Sequence, residues 1–151
     1  MLLYIVIITT TTLQLSEVII MTFGAIKDDL LHKSLVAVEY SMFLIEEDLT
    51  QYIAQYYGGY SPILYKRTGN LAQTPFSPVP AHNTGSGAAG TVGLNTGIGY
   101  STGTWTMENV ISSAENGLHG GYPYGASVPF WTLASGLMQT RVYEGCNAAG
   151  F

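Results

Sequence analysis

The sequence predicts an α+β fold, in which a long N-terminal helix rests on a small sheet and one or two shorter helices close the chain. Three observations carry this. An apolar stripe recurs at helical spacing through residues 25–57. A charge-free stretch rich in Pro and Gly follows it and holds one strand-like run. Two later segments combine helix caps with helical apolar spacing. Pattern and punctuation of this kind are the main sequence signals of secondary structure.

In the first element, Leu31, Leu35, Val38, Met42, Ile45, Leu49 and Ile53 step by four and three. That spacing puts one apolar stripe on a helix. Asp28 and Asp29 are expected in its first turn, where acids favour the helix dipole. Gly58 and Gly59 end the helix, and Pro62 prevents a restart. The spacing also suits a coiled coil, but about four heptads with few flanking charges are marginal. Packing on a sheet is the preferred reading.

Residues 60–71 read as a turn leading into a strand. From Thr68 to Met107 there is no charged residue. Pro75, Pro78 and Pro80 break any central strand. Seven glycines fall between Gly85 and Gly103, so residues 72–104 are expected to form a loop or extended excursion with one strand at about 91–100. Thr106 then caps a helix over 107–116, with Glu108 in its first turn. Val110, Ile111 and Ala114 form its inner face, and Gly117 takes the left-handed cap. Pro129 opens a last helix whose apolar side is Phe130, Leu133, Ala134, Leu137 and Met138. Gly136 weakens it, and Gly145 is expected to stop it.

The 151 residues suffice for one domain with a real core. Its expected extent is 21–151. Residues 1–20 are apolar and β-branched, interrupted by a Thr run and by Gln14, Ser16 and Glu17. No positive charge precedes Lys27. Three readings stand for this segment: an upstream extension ahead of an initiating Met21, an edge strand or arm, or an export or membrane signal.

Charged residues make up 10% of the chain, against roughly 25% in an average domain. The net charge is −5, and the five Lys and Arg are scattered. Specific nucleic-acid binding through phosphate neutralisation is therefore not expected, nor is a membrane partner. A surface so short of charge suits a chain covered by neighbours. The 11 tyrosines fit that, and fit half-buried strands equally.

Candidate chemistry is thin. Gly85-Ser86-Gly87-Ala88-Ala89-Gly90 matches G-x-G-x-x-G, but the dinucleotide fingerprint needs a strand before it and a helix after it, and neither is expected. No phosphate-binding P-loop is present, so no cofactor is assigned. No Cys/His pattern supports a metal, and the single Cys146 permits no internal disulfide. His82 and His119 are the bases of the second half. Cys146 is expected to lack an ordered frame near the terminus. No catalytic residue is assigned. Glu46, Glu47 and Asp48 point about 100° apart on a helix and read as a solvated or interface-facing acidic patch. Arg67 either braces its loop, against Glu46 or Glu47, or pairs with a neighbouring subunit. Trp105 and Trp131 stand at helix entrances, where a core or an interface role is open.

The order of three motifs carries a resemblance. Tyr60, Pro62, Tyr65, Arg67, Thr68 and Leu71 form Y-x-P-x-x-Y-x-R-T-x-x-L after the long helix; Gly103-Thr104-Trp105 and Gly117-Leu118-His119-Gly120-Gly121 follow. Over about residues 22–145 the chain resembles the minor structural proteins of tailed phages and prophages, of the head–tail joining or tail-completion type. The resemblance implies a long helix lying across an antiparallel sheet. It also implies a homo-oligomeric ring in the virion neck, docked to other neck, connector or tail proteins, with no cofactor and no catalysis. It places the protein in the virion, assembled in the host cytoplasm. The interaction candidates are Tyr60, Pro62, Tyr65, Arg67, Trp105 and His119. Residues 1–20 and the Gly-rich excursion depart from the pattern. Two other function classes are open to the sequence: a small hydrolase using His119 with a nearby Ser or Cys146, and a secreted or surface binding module exported by residues 1–20.

Overall fold

A computed structural model describes residues 12–59, 68–99, 105–117 and 128–151, with side chains from residue 23 onward. The α+β class is as expected. A long helix α1 (Thr12–Gly58) is followed by a 3-10 turn (Asn70–Gln73), strands β1 (Pro75–Asn83) and β2 (Ala88–Leu94), and helices α2 (Met107–Glu115) and α3 (Phe130–Ala148). The hairpin β1–β2 is antiparallel.

Helix α1 starts well before residue 25 and passes through Met21 without a break. Residues 12–20 are thus helical, not an edge strand. Residues 1–11 lie outside the described residues. The early start also moves Asp28 and Asp29 into the helix interior, away from the first turn, and Asp29 pairs there with Lys33 at 3.1 Å. From residue 34 onward α1 carries the core. Ile45, Leu49, Ile53 and Tyr56 pack with Leu71, with Met107, Val110 and Ala114 of α2, and with Phe130 and Ala134 of α3.

The prolines exclude only a central strand, and residues 75–83, expected as part of a loop or extended excursion, form an edge strand instead. β1 contains all three, in a two-stranded sheet where each strand is an edge. The register shifts between Phe76 and Val79 and again between Val79 and His82. Pro78 and Pro80 sit within those two irregular steps, where a missing donor costs least. β2 ends at Leu94, short of the expected 100. Residues 70–73 form a 3-10 turn where a strand was expected, and residues 60–67 lie outside the described residues.

Gly85 has φ 86°, and its N–H donates to Asn83 Oδ1 at 2.7 Å. Thr84 N donates to Gly87 O at 2.9 Å and closes the loop. The G-x-G-x-x-G run is therefore a hairpin turn entering a strand. No helix N-terminus follows on which a pyrophosphate would sit.

The later helices form as expected at their starts. Thr106 caps α2 by accepting from Asn109 N, and Gly117 is left-handed at φ 68°. Pro129, at the start of α3, has no capping side chain of its own. Glu115 of α2 takes that role, accepting from Trp131 N and Thr132 N, both at 2.9 Å. Gly145 does not stop α3. It is buried, and the helix continues to Ala148 before Gly150 turns left-handed.

Candidate interaction surface

α1 and α3 cross where both helices are narrow. A Cβ on Gly145 would overlap Ser41 Oγ and the Ala37 carbonyl oxygen. Gly145, Ala37 and Ser41 are all buried there. The Ser41 hydroxyl donates back to Ala37 O at 2.6 Å, so its burial leaves no unmet donor. About two helical turns further along α1 and one turn back along α3, Arg141 forks onto Asp48. Nε lies 2.8 Å from Oδ2 and Nη2 2.7 Å from Oδ1, and Nη1 reaches Glu144 at 2.8 Å. Asp48 is only 5% exposed. The hydrogen bond to Asp48, then the one to Glu144, holds the guanidinium's pKa above its ordinary value.

The three consecutive acids are therefore not one patch. Asp48 is buried against Arg141, Glu46 accepts a hydrogen bond from Ser77 Oγ of β1, and Glu47 is exposed. The hairpin approaches α1 on the other side from α3. A Cβ at Gly90 would overlap the Met42 thioether and come within 3.2 Å of Ala81 Cα. Glycine lets β2 lie this close.

Between the hairpin and α3 an open groove of about 680 Å³ remains. Its floor is the α1 row Ser34, Val38, Met42 and Ile45. β2 forms one wall, and Met138, Val142 and Cys146 of α3 form the other. None of its lining residues is charged. Cys146 stands inside α3, in an ordered frame after all, and is a free thiol.

A second apolar surface lies on the N-terminal part of α1. Every residue of 23–30 is exposed. Phe23, at 69%, Ile26 and Leu30 make a helical stripe there. Further along, Tyr40 and Phe43 expose a tilted ring pair with centroids 6.4 Å apart.

Of the residues singled out from the sequence, Tyr60, Pro62, Tyr65, Arg67 and His119 lie outside the described residues. Trp105 is 45% exposed ahead of α2, and Trp131 is also exposed. Neither is a core tryptophan. His82 is on the hairpin, its Nδ1 3.0 Å from Pro80 O. Arg141 and the groove have no counterpart in the sequence reading, and Asp48 and Gly145 take other roles than the acidic patch and helix stop expected of them. Arg141 carried a usable signal, because it falls on the same face of α3 as Ala134 and Gly145, where a charge needs a partner.

Among the described residues, no group of three His, Cys, Asp or Glu could hold a metal ion. No described helix is long and apolar enough to cross a membrane. Comparison with family models, with curated proteins and with solved structures returned no match.

Proposed function

We propose that this protein is an assembly component that acts by binding copies of itself and adjoining structural proteins, and that it catalyses no reaction. The setting that best fits its sequence motifs is the head–tail junction of a tailed phage, where it would take part in neck formation or tail completion as a homo-oligomer. The observation that carries the reading is the amount of large apolar surface left on a chain so poor in charge. Phe23, Ile26, Leu30, Phe43, Val142 and Tyr143 are all exposed. Such surface on a soluble domain marks a contact site. The apolar groove between the hairpin and α3 adds a concave counterpart to these convex features.

Two measurements test this. Light scattering coupled to size exclusion should give a mass above that of the 16.2 kDa chain. Fractionation of particles from a producing culture should place the chain with neck or tail components. A chain that stays single at every concentration and never travels with particles overturns the proposal.

A further inference from the structure

We infer that two copies pair through their α1 helices, side by side and antiparallel about a two-fold axis at Ser34, so that the Phe23/Ile26/Leu30 stripe of each fills the groove of the other. The inference rests on the self-association part of the proposed reading and names its contact.

The argument starts from the helix itself. At about 100° per residue, Phe23, Leu30, Ser34, Ser41 and Ile45 project within about 60° of one another, with Ile26 and Val38 flanking them. The exposed stripe and the floor of the groove are thus one continuous strip of α1. Its first half has no cover among the described residues, and its second half is the bottom of an apolar trough. Lys33 borders the exposed half, and Lys27 projects within it at the same angle as Ile45; both side chains are long enough to bury their stems and keep their ammonium groups in water.

Such a strip matches itself when reversed. Turning a second copy about Ser34 sets Leu30 against Val38 and Phe23 against Ile45, while Ile26 and Met42 lie at opposite edges of the contact. The two large side chains at the centre of the convex half thus each meet a floor residue of the concave half, and both halves are used twice. Ser34 at the centre is small, and its hydroxyl already donates to Leu30 O at 2.7 Å. Burying it strands no donor. The walls made by β2 and by Met138 and Val142 then flank the incoming helix.

Area favours this reciprocal contact over a head-to-tail one. The strip from Phe23 to Ile45 is about 33 Å long, and a helix is about 10 Å across. That footprint is roughly 330 Å² in projection and on the order of twice that in accessible surface. It approaches the ~800 Å² per partner typical of specific pairs. A single stripe seated in a single groove would bury about half as much, in the range of weak contacts. An isologous contact of this kind also closes on itself and leaves Tyr40 and Phe43 free for a different neighbour.

The test uses the full chain carrying Cys146→Ser, so that one introduced thiol can be followed. Ser34→Cys in this background should oxidise to a covalent dimer, because the axis brings the two thiols together. Glu39→Cys, on the far face of α1, should not. Leu30→Asp enters the contact twice and should weaken pairing by about 30-fold or more in sedimentation analysis, with unchanged helical circular dichroism. If Leu30→Asp abolishes association but Ser34→Cys never cross-links, the seating is head-to-tail and the two-fold is wrong. If pairing survives Leu30→Asp and is lost with Phe43→Asp, the contact is on the other face of α1, while self-association stands. A chain that is monomeric throughout overturns both.

Discussion

Arg141 of α3 and Asp48 of α1 form a forked ion pair across the helix crossing, 93 residues apart in sequence. Asp48 has little solvent to fall back on, so the arginine is its chief source of compensation. Removing one partner of such a pair costs more than removing both. Arg141→Ala should destabilise the fold by about 2–4 kcal/mol in urea titration, whereas Asp48→Leu combined with Arg141→Met should recover most of the loss. The raised arginine pKa adds stability that is complete below the ordinary arginine value and lost only as pH rises through the folded one. From the arginine side, the contribution should therefore be constant across neutral pH.

Two glycines of α3 should respond in opposite ways to alanine. Gly145 has the Ala37 carbonyl and the Ser41 hydroxyl where a methyl would go. Gly145→Ala must push the two helices apart, and a loss of about 2–3 kcal/mol is expected. Gly136 has open space around it in an exposed helix interior. Gly136→Ala should stabilise by up to about 1 kcal/mol. Thermal melts of the two variants check both signs.

Glu115 holds the start of α3 from outside. Glu115→Ala removes the acceptor for Trp131 N and Thr132 N and should cost about 1 kcal/mol. Amide exchange at residues 131 and 132 should quicken more than exchange in the middle of α3. Gln at 115 should restore part of the protection, since it keeps one oxygen acceptor without the charge.

Gly90 and Met42 should be coupled. Gly90→Ala meets the flexible end of Met42, so the damage depends on whether that thioether can move. The loss in the wild-type background should be about 1 kcal/mol, and it should shrink when Met42 is replaced by Ala. Equal losses in both backgrounds would show that the nearby Ala81 backbone is the real obstacle.

The helices were legible in the sequence because their signals are local. The α1 stripe through Ile45, Leu49 and Ile53, the Thr106 cap and the Gly117 turn each depend on neighbours within a few residues. The hairpin was missed because three prolines in nine residues argue against a strand. That rule concerns central strands, and the irregular register that admits Pro78 and Pro80 is set by pairing with β2. Gly145 was misread for a related reason. A glycine late in a helix looks like a stop until a second helix is known to press on it. The Asp48–Arg141 pair and the groove are products of tertiary packing, and no local spacing encodes them.

The proline content of β1 has a consequence for how this protein can polymerise. A bare sheet edge invites a further chain to add itself by backbone hydrogen bonding, the usual route into fibrils. β1 lacks an amide hydrogen at Pro75, Pro78 and Pro80 and is kinked by two irregular steps. It is a poor template for augmentation. Growth of any assembly on that side is thereby steered away from cross-β stacking, and a crowded population of these apolar chains is protected from gelling through it.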